Sequence, residues 1–491
     1  MKRLMGIIVL WAVPSMASGL EFKQLDLNAG GAIQTVRVVD LNGDGSKDLV
    51  VSVSQMDATS KRRKLAVFFA RDQGLFPETP TVSMTVPEET CLFDMADMEG
   101  DGRQEILLVD RLKTVSHTPS PDGFGKSVPI LDQGCELFFP DEEGLPYYDL
   151  VRNWRGDETA ELLLPGYGQM TLFEKGKEGY RRAESLPVGM KSRMRGVQTG
   201  YEGSAAYSFQ ASIKIPVLAL SDFDGDADPD LYVMTGEEVS VFLQTEGRFE
   251  KKAAYHHVYK MRTPEEMKYR NMGVGAQVKD IDRDGYGDLI LTKFGGSLTN
   301  YVSRVWVYKG EENGLAAEPI FDLSTKGFSG SLVLSDADGD GHLDLVLPSV
   351  NVHIFTIIKL LLTKRLTVKY KLYAFDETKC FEDAPGFSLQ TTYVLEDSKY
   401  NRIYGFAPQF GHDFDGDGRP DVLSSAGTDE LGIFPGEKGT SFSGEPATTL
   451  SVPATPFLTV LDLNGDKRSD LLLWYAEPEK EGQIRIYLNG L

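Results

Sequence analysis

Residues 413–421 read DFDGDGRPD, and this nine-residue string decides the fold. Aspartates stand at its first, third, fifth and ninth positions, with glycine at the sixth. Carboxylates at alternate positions converge on one point when a loop wraps tightly, and glycine permits the sharp turn. The seventh residue adds its backbone carbonyl, and the ninth closes the loop from the start of the next strand. The same pattern begins at Asp40 (DLNGDGSKD), Asp97 (DMEGDGRQE), Asp222 (DFDGDADPD), Asp280 (DIDRDGYGD), Asp336 (DADGDGHLD) and Asp462 (DLNGDKRSD). A degenerate copy begins at Asn153 (NWRGDETAE). Successive starts lie 57, 56, 69, 58, 56, 77 and 49 residues apart, a period that marks a repeat architecture.

Each copy sits between short aliphatic runs. Val36–Val39, Val217–Leu220, Leu332–Leu334 and Leu458–Leu461 precede copies; Leu49–Val53, Ile106–Val109, Leu289–Leu291 and Leu471–Trp474 follow them. Such runs read as buried strands. A third run often comes next, as at Leu65–Phe69, Met170–Phe173, Val305–Tyr308 and Ile484–Tyr487. With a weaker fourth, each repeat makes the four-stranded blade of an all-β propeller. Eight loop copies imply eight blades in a single domain over 20–491; seven is the alternative if one unit is incomplete. The last copy supplies three strands, and residues 20–27 (LEFKQLDL) offer the missing fourth. Termini sharing one blade would remove two open sheet edges. Insertions are expected near 187–214, 254–275 and 351–405.

Hard, charged oxygen donors suit calcium, and the lack of His and Cys side chains among the donors argues against zinc. The expected donor sets are Asp40, Asn42, Asp44, Ser46 and Asp48; Asp97, Glu99, Asp101, Arg103 and Glu105; Asp222, Asp224, Asp226, Asp228 and Asp230; Asp280, Asp282, Asp284, Tyr286 and Asp288; Asp336, Asp338, Asp340, His342 and Asp344; Asp413, Asp415, Asp417, Arg419 and Asp421; and Asp462, Asn464, Asp466, Arg468 and Asp470. Position 7 enters each set only through its backbone. Glu99 is longer than the usual Asp, and Ala227 and Lys467 replace the sixth-position glycine. In the Asn153 copy Arg155 takes position 3, where a guanidinium fills the role of the cation, so no metal is expected there. That copy also spells Arg155-Gly156-Asp157, an adhesion-like tripeptide best read as a decayed ion loop.

The chain has 491 residues, 41% of them apolar and 25% charged, and a net charge of −22. Such acidity argues against a nucleic-acid partner. About seven calcium ions would bring the charge to −8, so much of the acidity reads as ligand rather than as a docking surface. Residues 1–18 read as a signal peptide: Lys2 and Arg3, then the apolar run Leu4–Val13, then small residues. Export to the periplasm, cell surface or medium follows, and no transmembrane segment is expected. Cys91, Cys135 and Cys380 form an odd set in which one pair is open to a disulfide.

The strand–DxDxDGxxD–strand units resemble FG-GAP or VCBS repeats, which are related to the N-terminal propeller of integrin α subunits. The resemblance covers roughly residues 30–475, and Phe294-Gly295-Gly296 partly matches the element that names the family. It implies a calcium-binding propeller, common in secreted or surface proteins that adhere or recognise ligands. The leading expectation is a non-catalytic scaffold that binds an extracellular protein or polysaccharide. The alternative is a lyase-like enzyme acting on polysaccharide; a structural surface-layer part is a third reading. No catalytic residue is nominated, because only six histidines occur and no nucleophile elbow, P-loop or HExxH string is present. The segment from Lys175 to Arg270 is locally basic and aromatic, with Arg181, Arg182, Lys191, Arg193, Arg195, Tyr255, His256, His257, Tyr259, Lys260, Arg262, Lys268, Tyr269 and Arg270. It reads either as salt-bridged blade loops or as a pocket for an anionic ligand. The apolar run Ile354–Leu362 reads as a helix packed on the propeller, or as an amphipathic contact for a membrane or partner.

Overall fold

The computed structural model describes residues 20–56, 61–71, 74–141, 144–157, 159–188, 191–198, 207–297, 300–312, 314–326, 332–350, 354–396, 403–427, 429–439, 441–452, 456–475 and 480–490. The expected signal peptide lies outside them.

Eight antiparallel sheets follow one another around a ring, as an eight-bladed β-propeller. Blade 1 is typical: Ala32–Val39, Asp48–Met56, Lys61–Phe68 and Val82–Thr85 pair in that order. Its second strand carries the aliphatic run Leu49-Val50-Val51, fully buried because neighbouring blades cover both faces. Eight clusters of apolar side chains make the core. Each draws on two adjacent blades, as where Leu472 and Ile486 of blade 8 meet Val51 and Phe68 of blade 1. Each blade therefore buries its apolar faces against its neighbours.

The ring closes as the sequence implies. Phe22–Asn28 pairs antiparallel with Gln483–Asn489, from Phe22 opposite Asn489 to Asn28 opposite Gln483, and completes blade 8. Arg485 Nε donates to Asp26 Oδ1 across this seam at 2.7 Å.

The expected insertions include blade strands. A hairpin of Lys191–Gln198 and Tyr207–Lys214 stands between blades 3 and 4. The stretch near 254–275 supplies Tyr255–Val258, the fourth strand of blade 4, before a single 3-10 turn at Glu266–Lys268. The stretch near 351–405 holds the helix Ile354–Thr363 and then Arg365–Tyr373, Phe387–Leu395 and Ile403–Tyr404, which make blade 6 five-stranded. Tyr255–Val258 and Phe387–Leu395 are fourth strands, half-exposed at the rim, and lack the buried aliphatic run that marks the inner strands.

The open disulfide expectation is corrected: Cys91, Cys135 and Cys380 are all buried and unbridged. Cys380 sits in blade 6, while the other two belong to the blade 2 region. Burial raises all three thiols, Cys135 to about 11, so they behave as small apolar residues.

Candidate metal centres

All the acidic loops lie between the first and second strands of their blades and share one set of hydrogen bonds. The position 1 aspartate folds the loop around itself. Asp413 Oδ1 accepts the Gly416 N–H at 2.7 Å and its Oδ2 the Gly418 N–H at 2.9 Å. The second of these bonds recurs in Asp40, Asp97, Asp222, Asp280, Asp336 and Asp462. Position 6 needs a left-handed backbone, with φ of +84° at Gly418; Ala227 at +70° and Lys467 at +71° adopt it despite their side chains.

Position 5 accepts the N–H of position 7 in all eight copies. Asp44 takes Ser46, Asp101 takes Arg103, Asp157 takes Thr159, and Asp226 takes Asp228. Asp284 takes Tyr286, Asp340 takes His342, Asp417 takes Arg419, and Asp466 takes Arg468. The side chains of position 7 vary because only the backbone is used there; the His342 ring stacks on Phe375 at 4.4 Å.

Position 9 is the anchor. Its carboxylate accepts the N–H of position 2, as from Phe414 to Asp421 at 2.8 Å, and the bond recurs in every copy, including those ending in Glu105 and Glu161. In six blades its other oxygen accepts an N–H at or just past the end of the third strand: Ala70 to Asp48, Gln244 to Asp230, Gly310 to Asp288, Phe375 to Asp344, Gly436 to Asp421 and Asn489 to Asp470. One carboxylate thus fixes loop, second strand and third strand together. Burial, and next the neighbouring loop carboxylates, push these six aspartates up to about 6.

Positions 1, 3 and 9 come together. Oxygens of Asp222, Asp224 and Asp230 lie within 4.8 Å of one another, as do those of Asp280, Asp282 and Asp288, of Asp336, Asp338 and Asp344, and of Asp413, Asp415 and Asp421. These four groups could hold metal ions. Three carboxylates packed this closely repel unless a cation joins them, and the all-oxygen donor set fits a hard divalent ion. Asp280 Oδ1 is buried with no hydrogen-bond partner, the mark of an acceptor in want of a cation. The Asp40 and Asp462 loops carry Asn42 and Asn464 at position 3, so fewer charges meet there.

In two blades a cation stands among the loop carboxylates at position 3, apart from the Arg419–Asp417 pair at 3.6 Å on the blade 7 loop. In blade 3 Arg155 is 7% exposed. Its Nε meets Glu161 at 3.1 Å, its Nη2 meets Glu174 at 2.9 Å, and Glu184 lies 3.7 Å from Nη1. The Arg155 carbonyl accepts Gln244 Nε2 of the next blade at 2.8 Å. Position 3 therefore holds a buried guanidinium, as the sequence suggests, and the Arg-Gly-Asp string is not displayed as a surface tripeptide. In blade 5 Lys309 Nζ pairs with Asp282 and stands 3.1 Å from Asp284. Sequence reading missed this cation. The residue at its place is Phe69, Leu243, Ala374, Pro435 or Leu488 in the other blades with the same third-strand bond, so a lysine among apolar counterparts was the available signal.

Three cations of the basic segment are in ion pairs. Arg181 meets Glu174, Arg262 meets Glu237 and Lys268 meets Glu265. The hydroxyls of Tyr255 and Tyr259 bond each other at 2.8 Å. His256 Nδ1 lies 3.0 Å from Ser240 Oγ and faces an open cavity of about 380 Å³, with Lys251 and Lys252 at its wall and Val188, Val233 and Phe242 in its lining. The side chains of Lys191, Arg193 and Arg195 lie outside the described residues.

The chain matches no curated protein. Among solved structures it resembles an Agrocybe aegerita lectin described for recognition of non-reducing terminal N-acetylglucosamine, at 11% identity and TM-score 0.37 over 88% of this chain and 89% of that one. It also resembles the V. cholerae biofilm matrix protein Bap1, at 12% identity and TM-score 0.35 over 95% and 88%. A protein of unknown function from Desulfotomaculum acetoxidans matches at 9% identity and TM-score 0.31 over 80% and 96%. Superpositions this loose carry no argument about function. The model of the FG-GAP-like repeat matches residues 222–291, 280–347 and 413–490, which span the acidic loops of blades 4 to 8. Those matches, on eight blades closed by their own termini, make this chain an FG-GAP-repeat β-propeller protein.

Proposed function

We propose that the protein is an exported, calcium-stabilised and non-catalytic scaffold that presents its blade loops to an extracellular protein or polysaccharide. The observation that carries this reading is the triad of positions 1, 3 and 9, assembled four times on an identical backbone. The ligands are the seven sets of loop residues given above, with position 7 contributing its carbonyl. Calcium bound there supplies charge neutralisation and a rigid link between strands. With a site dissociation constant near ~0.1 mM and calcium near ~1 mM, each ion stabilises the fold by about 1.4 kcal/mol. About seven such ions contribute ~10 kcal/mol, comparable to the net stability of a domain. The cavity beside His256, Lys251 and Lys252 is the candidate contact for an acidic sugar chain.

The test is thermal unfolding of the full chain in calcium and in excess chelator, with bound metal counted by mass spectrometry. Five to seven calcium ions and a midpoint lowered by more than 10 °C in chelator are expected on this arithmetic. An unchanged midpoint, or no calcium bound at equilibrium dialysis against ~1 mM calcium, would refute the reading.

A further inference from the structure

Residues 345–375 contain Lys359, Lys364, Arg365, Lys369 and Lys371 and no acidic residue, in a chain whose net charge is −22. Within this stretch lies the single α-helix of the described residues, Ile354–Thr363. An apolar helix in a soluble fold normally turns its stripe to the core. This one does not. Thr356, Ile357 and Leu360 are half-buried and mark the side that rests on the protein. Phe355 is 74% exposed, Ile358 44%, Leu361 66% and Leu362 80%. At the helical repeat these four fall within about 120° of the circumference. Other exposed large apolar side chains of the described residues occur singly or in pairs along the chain.

The cations frame this face. Lys359 is exposed on the helix, and Lys364, with φ of +55°, turns the chain into the strand Arg365–Tyr373, where Arg365 and Lys369 are exposed. An apolar face bordered by cations is complementary to a bilayer surface: hydrocarbon beneath, anionic headgroups around. A symmetric second copy would set five cations against five. The helix has ten residues, about 15 Å, half of what would cross a bilayer. Among the described residues no helix is long and apolar enough to span one.

We propose that this helix and the strand after it form a membrane-surface contact. Phe355, Ile358, Leu361 and Leu362 enter the interface of a bilayer rich in anionic lipid, while Lys359, Arg365 and Lys369 meet its headgroups. The contact lies at blade 6 and is independent of the identity of any loop-bound ligand.

The experiment is co-sedimentation of the full, calcium-loaded chain with vesicles of phosphatidylglycerol and phosphatidylcholine, and with phosphatidylcholine alone. The chain should bind the anionic vesicles and release on raising salt. Binding should weaken about tenfold or more in Phe355→Ser/Leu362→Ser, which removes two inserted side chains, and in Lys359→Glu/Lys369→Glu. All four positions are exposed, so both variants should keep the wild-type melting midpoint. No binding to anionic vesicles, equal binding to uncharged ones, or variants that bind like wild type would overturn the proposal. So would light scattering that shows self-association abolished by Phe355→Ser/Leu362→Ser without any vesicle binding, which would assign the face to a second copy.

Discussion

The loops of blade 3 and blade 7 share two anchoring hydrogen bonds and differ in the charge they place at position 3. In both, position 9 accepts the position 2 N–H: Glu161 from Trp154 and Asp421 from Phe414. In both, position 5 accepts from position 7. At position 3 they part. Blade 7 offers Asp415, which converges with Asp413 and Asp421, while Arg419 stands 3.6 Å from Asp417 and Arg468 of the next blade acts on Asp415 from nearby. Blade 3 offers Arg155, and the carboxylates gather around it from the loop (Glu161), the third strand (Glu174) and the fourth (Glu184). The same turn can thus gather carboxylates around a guanidinium of the chain or leave them free to hold a metal ion. On the proposed function, a blade with covalent charge is indifferent to the medium, and a blade that recruits its charge has a stability that follows free calcium.

The sharpest way to break this comparison is to remove the covalent cation. Arg155→Met takes the guanidinium away from the buried carboxylates Glu161 and Glu184, leaving them only neutral donors, and cuts the link to Gly247 and the next blade. Loss of one member of a buried ion group costs about 3–5 kcal/mol. The loss should be as large in calcium as in chelator, read as the shift of the denaturation midpoint. A variant within about 1 kcal/mol of wild type would mean that the guanidinium is not what holds blade 3 together.

How much of this was legible beforehand follows from distance along the chain. The nine-residue loops carry their own geometry, so their number, their place between strands and the guanidinium at position 3 of blade 3 could be read locally. Closure was legible because Leu20–Leu27 had no partner near it and blade 8 lacked a strand. The partners of Arg155 were not legible, since Glu174 and Glu184 lie on later strands whose register no local pattern reveals. Nor was the outward face of the helix Ile354–Thr363: its periodicity shows a stripe, and only tertiary structure shows which way the stripe turns. The fourth strand Tyr255–Val258 passed for an insertion because rim strands lack the buried aliphatic run.

Blade 5 sharpens the comparison, since it has both the acidic triad and a lysine. Lys309 Nζ reaches Asp282 and Asp284 from the end of the third strand and competes with any ion for the same oxygens. Lys309→Met removes that competitor and keeps the length of the side chain. One site should gain calcium affinity by about tenfold, an effect of about 1.4 kcal/mol, seen by calorimetry as one additional tight site. Unchanged isotherms would show that the lysine yields to calcium freely and that blade 5 behaves like blade 7.

The smallest effect separates the two kinds of loop by pH. In the metal-free protein Asp230, Asp344, Asp421 and their counterparts are held at about 6, above the ordinary aspartate value of 3.8. A carboxyl raised on folding makes the folded state bind more protons than the unfolded chain between those values. Its stabilising contribution is present in full below about 4 and is lost as pH rises through about 6. Calcium demands the ionised form and removes the penalty, because it provides the charge that burial withholds. The gap between the melting midpoints in calcium and in chelator should therefore widen steadily from pH 4.5 to pH 7. Blade 3 adds nothing to that widening, because its cation is fixed to the chain. A gap that stays constant across this range would show that protons and calcium do not compete for position 9, and the carboxylate would then serve the strands alone.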